Sequence, residues 1–444
     1  MRGNRSRFAS IVAIGAVSAL LLAGCSGGNG GNTETPAAGD SPATDEAVTL
    51  TVTTFGTMGF EGLYDEYMQL NPNVTIEATN IDTGGNARTD AFTKIAAGSG
   101  LADVVALEEG WLGAIMEVSD VFVDLKDYGI ADRAAEWLDW KYAQGTDPGG
   151  RVIGAGTDMG PEGICYRQDL FAAAGLPSDR AEVATLLDGD WQNFFDVGRQ
   201  YQQATGKAWF DQSGFVWNAM VNQLPEGYYT KAGELNIEGN TEMRARWDSL
   251  AAASADGLSA AQTAWDWNGG QSFVDGTFAT FVCPGWMLGV VKGQIEAGGG
   301  DATTGWDFAD VFPGGAANWG GSFLAVPETS ENKEAAAALV LWLTESDQQV
   351  KQFEAAGNFP STIAAAAELA ASATPDPIFN GAPVGAILAA RAEGVTAQFK
   401  GPDDSLIQEN VFGVATQALD TGTANGEQAW NQAIQLLNDL VVNG

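Results

Sequence analysis

Tryptophan rings are the side chains of this sequence that point most clearly to a chemical role. The chain contains 14 Trp, and four of them do not follow the spacing of a helical core: Trp111, Trp217, Trp286 and Trp319. A planar ring beside a glycine or at a strand end can project into a cleft and cover the flat apolar face of a ligand. These four residues are therefore candidate ligand contacts, with packing in a core or hinge as the alternative for each.

Polar side chains near predicted strand ends complete the candidate site. Glu109 follows the third predicted strand and is the first choice as a hydrogen-bond acceptor for ligand hydroxyls. Glu108 competes with it, because successive side chains of a strand point to opposite faces and only one of them can face a cleft. The other polar candidates are Thr57, Asp158 and Asn318. Residues 265–268 (Trp-Asp-Trp-Asn) form a further cluster, which either caps and packs a helix or touches ligand.

The absence of histidine excludes several kinds of chemistry. Because the chain has no His, a Ser-His-Asp triad, a Cys-His pair and a histidine-ligated zinc site are all impossible. The sequence also lacks a phosphate-binding Walker loop and a calcium-binding EF-hand loop. We therefore expect no metal, no cofactor and no catalytic residue. A carboxylate-based glycoside hydrolase stays an alternative, but the adjacent Glu108 and Glu109 diverge on a strand and do not suit its opposed pair.

Alternating strands and helices must position these residues. Strands are predicted at 48–55, 74–78 and 101–107, with helices between them. This alternation predicts an α/β layer with a mostly parallel sheet. Ligands of such sheets bind at the carboxyl ends of the strands, which is where Thr57 and Glu109 lie.

Length, charge and cysteine content restrict the architecture and the partners. A chain of 444 residues exceeds the size of one hydrophobic core, so two lobes are expected. Its net charge of −36 repels phosphate backbones, and we expect no nucleic acid partner. Cys165 and Cys283 lie on apparent strands that could be neighbours in one sheet. Outside the cytoplasm such a pair favours a disulfide over two unpaired buried thiols.

The first 25 residues resemble the export signal of a bacterial lipoprotein. Basic residues precede an apolar run at 11–22, which is too short for a permanent membrane span. The tetrapeptide Leu-Ala-Gly-Cys that ends at Cys25 is similar to a lipobox, which implies lipidation of that cysteine. We expect a signal peptide at 1–24, a flexible tether at 25–46 and a lipid anchor on the outer face of the bacterial cell membrane. The alternative is an ordinary signal peptide that is cut nearby.

Three stretches between residues 160 and 336 have residue patterns that occur in the same order in a known family. They are residues 160–177 (GPEGICYRQDLF, then AGLP), 273–286 (FVDGTFA, then PGW) and 319–336 (WGGSF, then P and SENKEAA). Together they resemble the extracellular solute-binding proteins of bacterial ABC importers, in the carbohydrate-binding group that includes maltose and cello-oligosaccharide binders. The sequences of residues 108–112 and 306–323 are most similar to those of binders of cellobiose and related β-glucosides.

The resemblance implies a two-lobe α/β fold of the periplasmic-binding-protein type. Each lobe would be a mostly parallel sheet flanked by helices, with the ligand cleft between the lobes. The N-terminal lobe would take residues 46–158 and 308–347, and the C-terminal lobe would take 159–307 and 348–444. The chain would cross between the lobes near Asp158, Asp307 and Glu345.

The resemblance also implies binding without catalysis. Trp286 matches the family's stacking position in the second lobe, and Trp319 would face the cleft from the first. The lobes would close on an oligosaccharide, with cellobiose or a related β-gluco-oligosaccharide as the first choice. A monomer would then deliver the solute unaltered to the transmembrane permease subunits of the importer. Another solute, such as a polyamine held between carboxylates and rings, stays an alternative.

Overall fold

The computed structural model describes residues 46–443, so the predicted signal peptide, Cys25 and most of the predicted tether lie outside the described residues. Within residues 46–443, the strands in chain order are β1 (Val48–Phe55), β2 (Val74–Ile81), β3 (Val104–Glu108), β4 (Ala155–Gly156), β5 (Asp158–Met159), β6 (Glu162–Arg167), β7 (Ala208–Phe210), β8 (Phe278–Pro284), β9 (Trp306–Ala309), β10 (Ser322–Ala325) and β11 (Phe359–Pro360). No helix of this described part is both long and apolar enough to cross a membrane.

Helices cover the sheets and supply many of the loops at their edges. In chain order they are α1 (Glu61–Leu70), α2 (Gly84–Ala97), α3 (Leu112–Met116), α4 (Asp139–Gln144), α5 (Gln168–Ala173), α6 (Arg180–Leu187), α7 (Trp191–Thr205), α8 (Ser213–Asn222), α9 (Thr241–Ala255), α10 (Gln271–Val274), α11 (Met287–Ala297), α12 (Lys333–Leu343), α13 (Ser346–Ala356), α14 (Ile363–Ala371), α15 (Val384–Ala392), α16 (Asp404–Leu406), α17 (Gly413–Asp420) and α18 (Gly426–Leu437). A wider helical turn, Ile407–Phe412, links α16 to α17.

The first sheet has the strand order β2-β1-β3-β10-β4. β1 runs parallel to β2 and β3, whereas β10 runs antiparallel to β3 and β4. The strand predicted at Val48–Phe55 is confirmed with the same bounds, because its alternating β-branched side chains suit a half-buried strand. On its inner face Leu50 and Val52 share a core with Leu339 of α12.

The second sheet has the strand order β7-β8-β6-β9. β7 and β8 are parallel, and β6 is antiparallel to both β8 and β9. Every residue of β6, β8 and β9 is buried, as expected for a sheet that is covered on both faces. The predicted disulfide is confirmed: it joins Cys165 of β6 to Cys283 of β8, with Cα atoms 5.7 Å apart.

Each sheet and its helices form one lobe, so the expected two-lobe α/β architecture is present. We call the lobe around the first sheet the first lobe and the other the second lobe. The chain crosses between them after β4, where β5 pairs with β11 in a short separate sheet, and again between β9 and β10. Because β9 belongs to the second sheet up to Ala309 and β10 to the first from Ser322, this change of sheet comes later than the predicted boundary at 308. The other lobe bounds stay predictions.

Candidate ligand-binding site

Four aromatic side chains form a continuous surface, which we call the aromatic platform: Phe215, Trp265, Trp286 and Trp319. The ring centroids of Trp286 and Trp319 are 5.5 Å apart and their planes are nearly perpendicular. Trp265 stacks on Trp286 with centroids 6.2 Å apart, while Phe215 contacts Trp265 and Trp319 edge to face at 5.3 Å. All three indoles keep part of their surface exposed. The structure therefore brings the predicted contacts Trp286 and Trp319 together.

The close approach of backbone at Gly160 builds the central part of the platform. The Trp319 amide donates to the Gly160 carbonyl at 2.8 Å, and Trp286 Nε1 donates to the Trp319 carbonyl at 2.6 Å. A Cβ atom at position 160 would overlap the Trp319 carbonyl and lie 3.0 Å from Trp286 Nε1, so only glycine fits there. These bonds draw Trp319 onto the second-lobe rings, which corrects its predicted place on the first-lobe side.

Trp265 is the most exposed ring of the platform, with 47% of its surface open to solvent. It belongs to the segment 265–268, whose role the sequence left open. Its φ of +67° is unusual for a bulky side chain. Trp267 of the same segment is fully buried. The segment therefore presents one indole to solvent and packs the other inside the lobe.

Two of the predicted tryptophan contacts lie inside the lobes instead. Trp111 is 2% exposed and packs against Phe92 in the first lobe, with ring centroids 6.1 Å apart. Trp217 is 1% exposed on α8, where its Nε1 donates to the Tyr228 hydroxyl at 3.1 Å and its ring packs on Phe412. Rings buried to this degree present no face to a solute, so we leave both out of the proposed contact surface.

Glu109 links the first lobe to the platform through hydrogen bonds. It is 2% exposed, its Oε1 accepts from Gln144 Nε2 at 2.8 Å and its Oε2 accepts from Asn318 Nδ2 at 3.0 Å. Asn318 in turn accepts from the Gly160 amide at 2.8 Å and donates to the Gly320 carbonyl at 2.9 Å. We call Glu109, Gln144, Asn318 and Gly160 the Glu109 framework. Since both of its carboxylate oxygens are engaged, Glu109 acts here as a structural link rather than a free acceptor for ligand hydroxyls.

Glu108 points to the other side of the strand end, as the alternation of side chains requires. Its carboxylate is half-buried and lies beside Gly110 and Gly320, close to the Trp286 indole. Burial raises the pKa of Glu108 to about 7; the Gly110 amide lowers it and the charge of Glu109 raises it further. Of the two adjacent glutamates, Glu108 is therefore the one that borders the platform.

Asp158 and Thr57 were predicted to lie together at the rim of the site, but one is buried and the other is exposed. Asp158 is buried at the crossing between the lobes, where its Oδ1 accepts from the Ser322 amide at 2.9 Å. Burial raises the pKa of Asp158, and the neighbouring buried Lys141 opposes this; burial likewise lowers the pKa of Lys141 to about 8. Thr57 is exposed, and its carbonyl accepts from Asn358 Nδ2 at 3.0 Å. Thr57 alone of these two stays available at the rim.

Glu162 is a site residue that sequence reasoning missed. It opens β6 and has 0% exposure, and among the described residues none donates a hydrogen bond to either carboxylate oxygen. Burial raises the pKa of Glu162 well above its usual range, while the charge of Lys400 lowers it and that of Glu109 raises it. A buried carboxyl without partners is costly unless a ligand supplies donors. Its only sequence signal was its place in the stretch 160–177.

The charge of Lys400 acts on both Glu162 and Asp404, and Asn222 connects Lys400 to Asn218; we call Glu162, Asn218, Lys400 and Asp404 the acidic compartment. Asp404 accepts from the Gly401 amide at 2.9 Å, but its Oδ2 and the Asn218 Nδ2 are buried and have no partner in the described part of the chain. Burial raises the pKa of Asp404 to about 6, against the attraction of Lys400. Lys400 Nζ donates to the amide oxygens of Asn222 and Gln398, at 2.9 and 2.7 Å.

The acidic compartment is rich in acceptors and poor in donors. Its lysine is bonded to neutral amides, so the carboxylates keep their lone pairs for another molecule. Among residues 46–443, no group of three or more acidic, cysteine or histidine side chains is arranged to hold a metal ion. The compartment therefore suits a ligand that brings O–H or N–H donors.

The two lobes touch each other across the cleft. Arg88 of α2 forms an ion pair with Glu409 of the second lobe, with Nη2 and Oε2 2.8 Å apart. At Gly113 of α3 a Cβ atom would overlap the Gly401 carbonyl, so the backbones of the two lobes meet there without side chains between them. The structure therefore shows the lobes in a closed arrangement around the platform and the acidic compartment.

Comparison with known proteins gives the family of this chain. A family model described as bacterial extracellular solute-binding protein matches residues 62–381. The chain belongs to this family. Such proteins bind solutes for ABC transporters and are not enzymes, so the glycoside hydrolase alternative is excluded.

Solved structures share the whole fold with this solute-binding protein. An extracellular solute-binding protein of family 1 is 43% identical with a TM-score of 0.79, over 88% of this chain and 99% of that one. A binding protein from B. animalis subsp. lactis Bl-04, solved with β-1,6-galactobiose, is 18% identical with a TM-score of 0.74, over 88% and 97%. Maltose-bound T. maritima MalE3 is 19% identical with a TM-score of 0.69, over 89% and 100%. No curated protein matches the sequence.

Proposed function

We propose that this protein captures an oligosaccharide between its lobes for an ABC importer. The observation that carries the proposal is the pairing of an aromatic platform with a compartment of unpartnered acceptors. A sugar ring has apolar C–H faces and a rim of hydroxyl groups. Flat indoles match the faces, and buried carboxylates match the hydroxyl donors. Two structures of the same fold carry bound disaccharides, β-1,6-galactobiose and maltose, which supports this class of solute.

The aromatic platform and the acidic compartment contact different parts of the sugar in this proposal. In the proposed complex, Trp286 and Trp265 stack on sugar rings, and Trp319 closes one side of the same surface. Glu162 and Glu108 accept hydrogen bonds from hydroxyl groups, and the Glu109 framework holds the platform in place. Thr57 stays a rim candidate. Cellobiose or a related β-gluco-oligosaccharide remains the first choice of solute, because the sequences of residues 108–112 and 306–323 resemble those of binders of such sugars.

Transport follows from closure of the lobes. A solute that touches both lobes stabilises the closed arrangement relative to the open one by the contacts that only closure makes. We propose that the permease subunits recognise this closed form and receive the solute unaltered. Lipidation of Cys25 would keep the monomeric protein on the outer face of the cell membrane, near those subunits.

A polyamine is the second candidate solute, and the acidic compartment is the observation that favours it. One lysine, Lys400, acts electrostatically on Glu162 and Asp404 of the compartment and on the nearby Glu108, so three buried or half-buried carboxylates share a single positive charge. Ammonium groups would supply the missing donors and the missing positive charge.

Titration calorimetry of the mature protein separates the two candidates. We expect saturable binding of cellobiose, xylobiose or maltose, with the β-gluco-oligosaccharide the tightest, and recovery of the sugar unchanged. Binding of spermidine with no response to any saccharide would replace the first candidate by the second. A protein that binds neither class would contradict both. Thermal unfolding gives an independent check, because a solute that binds only the folded state raises the Tm.

A further inference from the structure

The segment that presents Trp265 has an unusual backbone. Within the described residues, five non-glycine residues have a positive φ, and four of them fall between 261 and 268: Ala261, Trp265, Trp267 and Asn268. Side chains with a Cβ rarely adopt this conformation, and it persists only where the surrounding structure enforces it. Some group must therefore hold the segment in this shape.

Asp211, which directly follows β7, is a buried residue that forms hydrogen bonds with the segment. It has 0% exposure, and its Oδ2 accepts from Trp267 Nε1 at 3.0 Å inside the second lobe. Its backbone carbonyl accepts from the Gln262 amide at 3.0 Å. One residue thus bonds the segment at two points, one near each end of the strained part.

Trp267 connects Asp211 to the aromatic platform through contacts between rings. Its buried ring contacts the rings of Trp265 and Phe215, at centroid distances of 5.9 and 5.8 Å. It also packs on Phe273 and Phe281 at 5.5 and 5.7 Å, which fixes it to α10 and β8. A shift of the Trp267 indole would therefore move the exposed indole beside it.

We propose that Asp211 is a positioning residue, whose buried carboxylate fixes Trp267 and thereby sets the pose in which Trp265 meets the solute. This inference rests on the proposed function, because it assigns Trp265 to the contact surface. The second carboxylate oxygen, Oδ1, has no partner among the described residues, and burial raises the pKa of Asp211 to about 7. Trp267 donates the side-chain hydrogen bond to this carboxyl, and a hydrogen bond from the backbone of the adjacent Gln212 also lowers its pKa.

Hydrogen exchange of the solute-free protein tests the holding step. In the Asp211→Ala variant the backbone amides of residues 259–270 should exchange faster, while those of β6 stay protected. Asp211→Asn should restore protection, because its amide oxygen can still accept from the Trp267 indole. Unchanged exchange in Asp211→Ala would overturn the proposal. This experiment needs no solute, so it decides the holding step even where the proposed function fails.

A double-mutant cycle on solute affinity tests whether Asp211 acts through Trp265. We expect Asp211→Ala to weaken the tightest-binding saccharide by about fivefold to tenfold, the size of one aromatic contact, and Trp265→Ala to weaken it similarly. The double variant should bind the saccharide no more weakly than either single variant, because Asp211→Ala already misplaces the ring that Trp265→Ala removes.

Other outcomes of the cycle contradict the inference while leaving the proposed function intact. If the two losses multiply, or if Asp211→Ala binds like the wild type, Asp211 does not act through Trp265. Asp307→Asn is the matched control, since Asp307 is a buried aspartate of the same lobe that pairs with Arg180 away from the segment. It should lower the Tm without changing the affinity. All variants are compared at a temperature where each is folded.

Discussion

Glu109 and Glu162 are two buried carboxylates that differ in their hydrogen bonds, although the charge of one acts on the other. Both oxygens of Glu109 accept hydrogen bonds from protein amides, whereas neither oxygen of Glu162 has a partner in the described part of the chain. Folding normally satisfies buried polar groups, because an unsatisfied one is costly. We therefore propose that the satisfied Glu109 framework serves the fold and that the acidic compartment, with its unused acceptors, serves the solute. The comparison teaches that two similarly buried carboxylates can differ in the hydrogen-bonding capacity that they leave for a solute.

Removal of the central platform ring should have the largest effect on binding. Trp286→Ala deletes the indole that joins Trp265 to Trp319. We expect at least about 30-fold weaker binding of the saccharide in calorimetry, the size of a hot-spot contact.

Trp342→Ala is the matched control for this change. Trp342 is a partly exposed indole of α12 that packs on Tyr67 in the first lobe, with ring centroids 5.1 Å apart. It should lower stability and leave affinity unchanged. Equal affinity losses in the two variants would contradict a specific role for the platform.

The same substitution at the two glutamates should give opposite results. Glu162→Gln keeps the shape but removes acceptor capacity, so we expect about tenfold weaker saccharide binding with no loss of Tm. Glu109→Gln turns one acceptor oxygen into a donor that faces the Gln144 or Asn318 amide. We expect it to lower the free energy of unfolding by about 1–3 kcal/mol and to change affinity by less than about twofold.

Calorimetry and denaturant unfolding of both variants measure this contrast. A Glu109→Gln protein that is stable but fails to bind would reverse the assignment of the two carboxylates. A Glu162→Gln protein that binds normally would remove the acidic compartment from the site.

The empty protein should become more stable on mild acidification. Burial raises the pKa of Glu108 to about 7 and that of Asp404 to about 6, and it raises the pKa of Glu162 as well. These acids bind protons more tightly in the folded state than in the unfolded one. The free energy of unfolding should therefore rise as pH falls from about 7 to about 5.

Thermal unfolding at several pH values checks this dependence. Asp103 and Asp147 have lowered pKa values, so their opposite effect sets in only below about pH 4. With no His in the chain, no imidazole titrates in the window. Glu108→Gln should flatten the rise in Tm. A Tm that falls steadily from pH 7 to 5 would contradict the raised pKa values of these carboxyls.

The contact between the lobes should have the smallest effect. Arg88 and Glu409 form an ion pair that is partly exposed, so its contribution is about 0.2–1 kcal/mol. Arg88→Gln should weaken binding by about twofold, because the pair forms across the closed cleft. Lys94→Gln is the matched control, since its partner Asp90 lies on the same helix. If both variants bind like the wild type, the pair contributes nothing to closure.

Local sequence pattern was sufficient for much of the fold. The β-branched alternation of Val48–Phe55 defined β1 with the correct bounds. Cys165 and Cys283 could be paired because both lie in apolar runs that read as strands of one exported protein. Trp286, which follows Pro284-Gly285, was expected on the second-lobe side of the site, and its ring lies in the aromatic platform of that lobe. In each case neighbouring residues carry the information, so no knowledge of distant packing is needed.

The rest of the site depends on contacts that a single sequence does not encode locally. Trp217 lies on α8, where nine of the ten residues are buried, and its ring has no exposed face. The choice between Glu108 and Glu109 depends on which side of β3 receives the Asn318 amide from a crossing about 200 residues later. Glu162 is a buried, unpartnered acid, and Lys400, whose charge acts on it, donates its hydrogen bonds to Asn222 and Gln398 instead. Such hydrogen-bond partners are fixed by tertiary structure.

A crystal structure of the complex with the tightest-binding saccharide tests the central claim most directly. We expect a sugar ring against the face of Trp286, with hydroxyl groups donating to the carboxylate of Glu162 and the Glu109 hydrogen bonds unchanged. A saccharide that leaves Glu162 without a partner and instead displaces Asn318 from Glu109 would contradict the division between framework and binding surface.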